Sequence, residues 1–294
     1  MEPKKENVFE CSAVTKWIEI ELTSYCGMHC LVCARGDLEK HTFLTFDNFK
    51  KMVALLKEWD YEEVMVCGLW DAFIHTQVNE FMDYLFQELP NINLFFMTKW
   101  LALKDEHIDK IKELNENGFN VSLTFSVFSL EKKMYNYLTG WDFFDNFMET
   151  LNKCHKKKIN YYMEFMLSTL TLPELDKFKV FAKSLNKDYW VSLVHNWGGR
   201  ISEKIHKKLF DEKKLNGHYI KSEEGDICEV MKYDYLYVNS FGEVFQCSLN
   251  EIDKTGLLWE LGDYSLEEFL EKKRAIDYKK ACEKCFYYGF KTFS

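Results

Sequence analysis

The feature that most restricts the fold is a sixfold alternation of short apolar runs with longer amphipathic stretches. The runs are "WIEIEL", "EEVMVCGL", "NLFFMT", "NVSLTFSV", "NYYMEFML" and "YWVSLVH", each bounded by polar turn residues. Between them lie "TFDNFKKMVALLKEW", "QVNEFMDYLFQEL", "DEHIDKIKELNENG", "DFFDNFMETLNKCHKKK" and "LPELDKFKVFAKSL", whose apolar residues recur at helical spacing. One run and one stretch together take roughly thirty residues, the length a βαβ unit needs. Such a series, with strands buried on both faces, predicts a parallel α/β sheet, either doubly wound or curled into a barrel. The strand-to-helix loops then gather at the C-terminal edge of the sheet, where these folds place their chemistry. Beyond about residue 215 the pattern changes. "YLYVNSFGEVFQC" reads as a β-hairpin about the turn "NSFG", and "SLEEFLEKKRA" reads as a helix. Two domains are expected, residues 1–215 and a smaller α+β unit at 216–294.

Composition narrows the function classes. With 294 residues and 47% hydrophobic content, the chain buries a substantial core. A net charge of −9 argues against a nucleic-acid partner, and the lysine-rich pieces "HKKK" and "EKKR" read as solvated helix faces. The same acidic balance slightly favours a cationic or neutral substrate. No run approaches the length of a membrane span, and "MEPKKENVFE" lacks the apolar core of a signal peptide, so a cytoplasmic protein is expected. In that compartment ten cysteines are better read as metal ligands or buried thiols than as disulfides.

Three of those cysteines stand in "IEIELTSYCGMHCLVCARG", just after the first apolar run: Cys26, Cys30 and Cys33, spaced C-x3-C-x2-C. A structural zinc site wants four ligands, and three on one loop leave it incomplete. Three thiolates on a 4Fe–4S cluster leave one iron without a protein ligand, and that iron can bind something else. This spacing, on the loop after the first strand of a βα repeat, resembles the radical S-adenosylmethionine (radical SAM) superfamily. The resemblance implies a partial (β/α)6 TIM-like barrel, SAM chelated by the open iron, and an external one-electron reductant of flavodoxin or ferredoxin type. It also implies cleavage of SAM to a 5′-deoxyadenosyl radical that abstracts a hydrogen atom from substrate.

Further positions follow from the same resemblance. In "CGLWDAFIH", Asp71 stands where the family's Gly-Gly-Glu-Pro glutamate receives the SAM amino group, and Trp70 stands for a glycine. Read from its residues alone, Asp71 is also a helix N-cap. The family's Thr-Asn-Gly after the third strand is here Thr98, Lys99 and Trp100, whose ring either walls a cavity or fills core. Ser126 is the candidate for the SAM ribose, with Glu164 as a second. A carboxylate inside an apolar strand is costly unless paired or liganded. Asn196 and Arg200 in "HNWGGR" are candidates for the SAM carboxylate or adenine edge, and Val32 for adenine contact. Glu164 and His195, with His75, are positional candidates for a proton acceptor.

A second cysteine set comprises Cys228, Cys247 and the C-x2-C pair Cys282 and Cys285. Spacing alone admits zinc or a saturated 4Fe–4S cluster. The arrangement resembles the twitch domain, a shortened SPASM domain, which implies one auxiliary 4Fe–4S cluster able to take an electron from a substrate radical. Cys11, Cys67 and Cys154 read as small buried hydrophobes. The expected activity is dehydrogenation of a small amino sugar, cyclitol or alcohol. The alternatives are modification of a ribosomally made peptide by crosslinking, epimerisation or side-chain oxidation, and a non-enzymatic zinc or iron-sulfur scaffold. Fewer than twenty residues precede the first strand, too few for a leader-recognition domain, which tilts the expectation toward the small molecule.

Overall fold

Six parallel strands follow one another across the sheet in chain order: β1 (Trp17–Ile20), β2 (Glu63–Val66), β3 (Asn93–Thr98), β4 (Asn120–Val127), β5 (Tyr161–Leu167) and β6 (Tyr189–Leu193). The computed structural model describes residues 16–33, 41–67, 71–194, 201–221, 235–250, 254, 256–262, 265–276 and 290–292. Helices α1 (Phe46–Glu58), α2 (Val78–Glu88), α3 (Asp105–Glu116), α4 (Lys132–Thr139), α5 (Phe144–Lys156) and α6 (Leu175–Ser184) connect the strands. α7 (Glu203–Leu209) and α8 (Glu212–Leu215) follow β6. The βα alternation is therefore as expected, and parallel neighbours require such crossovers. Among the described residues no helix is long and apolar enough to cross a membrane.

Register sorts the strand residues onto two sides. Ile20, Val66, Phe96 and Leu123 are successive partners across β1 to β4 and face the helices. There they meet helix residues such as Phe49 and Phe81, which stack at 4.3 Å, within one continuous apolar core. Burying a side chain of that size contributes about 1.5–3 kcal/mol. α1 begins at Thr45, whose hydroxyl accepts the Asn48 N–H at 3.2 Å, so its apolar stripe of Phe49, Met52, Val53 and Leu56 starts in phase with the sheet. The opposite side is buried as well along β4, as expected of strands buried on both faces, but it is not uniformly apolar. It carries Glu19, Ser122, Thr124, Ser126 and Glu164 at alternate positions, a polar lining beneath the C-terminal strand ends.

The C-terminal hairpin forms as read: β8 (Leu236–Val238) and β9 (Glu243–Phe245) pair antiparallel, with β10 (Leu257–Glu260) beyond them. β8 also pairs in parallel with β1, giving the order β10-β9-β8-β1-β2-β3-β4-β5-β6. The hairpin strands thus extend the main sheet. β7 (Tyr219–Lys221) and β11 (Phe290–Thr292) form a separate two-stranded ribbon. The expected late helix is α9 (Leu266–Arg274), started by a capping box between Ser265 and Glu268.

Candidate active site

The loop after β1 is held from both sides. At its start, the Ser24 N–H donates to the Thr42 carbonyl at 3.0 Å, and the Thr42 N–H returns to the Ser24 hydroxyl at 2.6 Å. Farther along, the N–H groups of His29 and Leu31 donate to the carbonyls of Thr139 and Leu138 at 3.2 and 2.8 Å, consuming acceptors at the C-terminus of α4. Met28 is buried beneath the loop, and its N–H donates to Cys26 Sγ at 3.4 Å. The Cys33 N–H closes a turn onto the Cys30 carbonyl at 3.1 Å. Cys26, Cys30 and Cys33 are all partly buried.

Burial and the neighbouring Cys33 thiol push the Cys30 thiol up to about 12, with Cys26 adding to the shift and the Lys99 charge opposing it. A thiol whose pKa is raised by two neighbouring thiols belongs to a donor set suited to a cationic iron centre, which offsets the repulsion between thiolates. The residues fit a cluster held by three thiolates on chemical grounds. Among the described residues the side chains are not drawn into a closed metal cage.

On the polar side of the sheet, a chain of hydrogen bonds crosses the ends of four strands. Ser126 and Glu164 are register partners on β4 and β5. The Ser126 hydroxyl donates to Glu164 Oε2 at 3.3 Å, and the Ser192 hydroxyl on β6 donates to Oε1 at 2.7 Å. Lys99, one residue beyond β3, donates from Nζ to the Ser126 oxygen at 2.8 Å. The structure thus brings together Ser126 and Glu164, both chosen from sequence, and adds Lys99 and Ser192. Their partnership spans 27 and 28 residues of chain, and only the strand register reveals it.

Asp71 is fully buried and caps the short 3₁₀ turn Ala72–Ile74, accepting the Phe73 N–H at 3.2 Å. The Thr98 hydroxyl lies 3.3 and 3.4 Å from its two oxygens, and the Ala102 N–H also points to it. Burial raises its pKa; those donors and the charge of Lys99 act the other way. Trp100 fills core: its indole N–H donates to the Tyr135 hydroxyl at 2.8 Å, and its backbone takes φ +61°. Val32 is buried within the main core.

Cys67 is buried but not inert, since its thiol donates to Glu19, which also accepts from the Tyr235 hydroxyl and from Ser248. Cys247 lies beside this group, close enough for its charge to raise the Tyr235 pKa. Cys154 is a fully buried thiol on the core-facing side of α5, pushed up to about 12 by desolvation. Trp70, His195, Asn196, Arg200, Cys228, Cys282 and Cys285, with Cys11, lie outside the described residues.

Several solved structures share the fold. Streptococcus suis SuiB bound to precursor peptide SuiA matches with a TM-score of 0.66 at 14% identity, covering 94% of this chain and 70% of that one. The structure of anSMEcpe with bound AdoMet matches at 0.65 and 14% identity, covering 92% and 86%. BtrN in complex with AdoMet and 2-DOIA matches at 0.57 and 11% identity, covering 93% of each chain. No curated protein matches in sequence. The family model of the Radical SAM superfamily matches residues 20–182, from the end of β1 into α6. That is more than half of the chain and takes in the cysteine loop with the strand ends that face it, so the chain belongs to the radical SAM superfamily.

Proposed function

We propose that this radical SAM enzyme modifies a polypeptide, and that it carries an auxiliary 4Fe–4S cluster which accepts an electron from the substrate radical. The observation carrying the polypeptide reading is the ranking of fold matches. SuiB, solved with precursor peptide SuiA, and anSMEcpe, also solved with a bound Cp18Cys peptide, match at 0.66 and 0.64, against 0.57 for BtrN. This reverses the preference reached from sequence. One observation favours the second reading, dehydrogenation of a small amino sugar, cyclitol or alcohol: BtrN, bound to 2-DOIA, and this chain each cover 93% of the other.

In this proposal Cys26, Cys30 and Cys33 hold the SAM-binding cluster. Cys228, Cys247, Cys282 and Cys285 hold the auxiliary one. Loaded with cluster and SAM, and given one electron by a flavodoxin- or ferredoxin-type donor, the site supplies a 5′-deoxyadenosyl radical for hydrogen abstraction. The chain's residues do the positioning. Asp71, engaged by internal donors, holds the turn at which the SAM amino group is received. Ser126 and Glu164 face the ribose, Val32 the adenine, and Asn196 and Arg200 the adenine edge or carboxylate. Glu164 and His195 are the proton acceptors that an oxidation needs.

Anaerobic reconstitution with iron, sulfide, a chemical reductant and SAM tests this reading. The wild type is expected to release 5′-deoxyadenosine, and Cys30→Ala to release none. Cys247→Ala is expected to retain cleavage but yield no oxidised product. Offered a peptide library and a panel of amino sugars and cyclitols, the enzyme should yield modified peptides. Turnover confined to the sugar panel establishes the second reading instead. Bound zinc with no 5′-deoxyadenosine leaves the scaffold.

A further inference from the structure

Between the cysteine loop and the Ser126–Glu164 pair stands a cation that neither group neutralises. Lys99 is half-buried at the C-terminal end of β3, with Nζ 5.9 Å from the centre of the Phe128 ring. An ammonium has three donors, and the Ser126 oxygen takes one of them at 2.8 Å. That hydroxyl donates its own hydrogen bond to Glu164, whose second oxygen accepts from the Ser192 hydroxyl. Among the described residues no carboxylate lies within ion-pairing distance of Lys99. A partly desolvated ammonium with donors to spare is costly in isolation and suited to an incoming anion. Its charge is felt on two sides, at Cys30 on the loop and at Asp71 below the β2 turn.

Besides its sulfonium, the proposed cofactor carries an ammonium and a carboxylate at its amino-acid end, the end that would lie against the cysteine loop. A cation on the β3 side attracts its carboxylate and repels its ammonium, which turns the amino group toward the β2 side and the Asp71 turn. We propose that the Lys99 ammonium binds the SAM carboxylate, fixing which way the amino-acid end lies between the cysteine loop and the Ser126–Glu164 pair. This rests on the SAM-binding reading of the site. It leaves Asn196 and Arg200 to the adenine edge.

The test is a binding measurement on anaerobically reconstituted protein. Wild type, Lys99→Met and Lys99→Arg are titrated with SAM and with decarboxylated SAM, after iron and sulfide content is shown to be equal among them. Losing a charge-assisted hydrogen bond in a partly desolvated site should weaken SAM binding to Lys99→Met by about ten-fold or more. Decarboxylated SAM should lose less than about three-fold, and Lys99→Arg should keep most of the discrimination. Equal losses for the two ligands, or no loss for either, overturn the assignment of Lys99 while leaving the SAM site intact. A wild type that takes up a cluster yet binds no SAM overturns the underlying reading, and the Lys99 assignment falls with it. Should Lys99→Met fail to assemble, Lys99→Gln is read by the same criteria.

Discussion

His75 illustrates how a side chain suited to proton transfer is committed elsewhere. Its Nε2 lies 3.0 Å from the Leu44 carbonyl and must donate, while Nδ1 accepts the Gln77 N–H at 3.1 Å. The neutral tautomer is thereby fixed, and a second proton would expel the Gln77 N–H. Burial lowers its pKa below the ordinary 6.5. The unfolded chain takes up the proton first, so this contribution to stability is full above about pH 6.5 and is lost as pH falls below it. His75→Gln should therefore show a flatter decline in unfolding free energy than wild type between about pH 7 and 5, measured by urea denaturation. Parallel curves would refute the argument. Chemical character singles out Cys26, Cys30, Cys33 and Glu164 in the sequence, through a ligand spacing on one loop and a carboxylate in an apolar strand, whereas Ser126 is singled out only by the family resemblance. Lys99 and Ser192 were not legible, because their role is a cross-strand partnership. The ring of Trp100, undecided from sequence, is settled by packing against Tyr135 and Phe147.

The cysteine loop owes its position to α4, an element the helical periodicity did not single out. The amphipathic stretch quoted for this region, "DFFDNFMETLNKCHKKK", begins only at Asp142 and corresponds to α5. The structure places a further helix before it: Gly140 takes φ +79° as the C-cap of α4, and α5 starts at Phe144. A Cβ at Gly140 would stand 2.5 Å from the His29 carbonyl oxygen on the cysteine loop. Gly140→Ala should therefore cost roughly 1–3 kcal/mol through an unfavourable φ and a backbone clash. It should also lower the iron retained after reconstitution, since the loop must shift. Gly118→Ala is the control. That residue has φ +90° but nothing within 4 Å of a new Cβ, so stability should fall by only about 1 kcal/mol and iron content should hold. Equal iron loss in both would separate the α4 contact from cluster binding.

Across the described residues, β1 is the strand on which an early and a late part of the chain meet. Its C-terminal loop carries the first three cysteines, and its free edge pairs with β8, more than two hundred residues later. Dividing the chain at residues 215 and 216 follows a real change of pattern, yet sequence periodicity carries no information about how the later part attaches. The attachment is a β-ladder reinforced by Glu21. This buried carboxylate accepts from the Ser240 hydroxyl at 2.6 Å, from the Ser240 N–H at 3.3 Å and from the Tyr237 hydroxyl at 3.2 Å. Hydrogen bonds to a charged group contribute about 1.5–3 kcal/mol each, and a donor left unsatisfied adds its desolvation cost. Ser240→Ala should thus destabilise the protein by about 1–3 kcal/mol. Because β8 and β9 share one sheet with β1, the hairpin and the βα repeat should unfold together. Far-UV circular dichroism and tryptophan fluorescence, which senses Trp17 packed at 4.4 Å on Tyr235, should give coincident urea transitions in wild type and variant alike. An earlier fluorescence transition in Ser240→Ala would mean that the hairpin melts on its own, and β1 would then bind it too weakly to hold Cys247 in place beside Glu19.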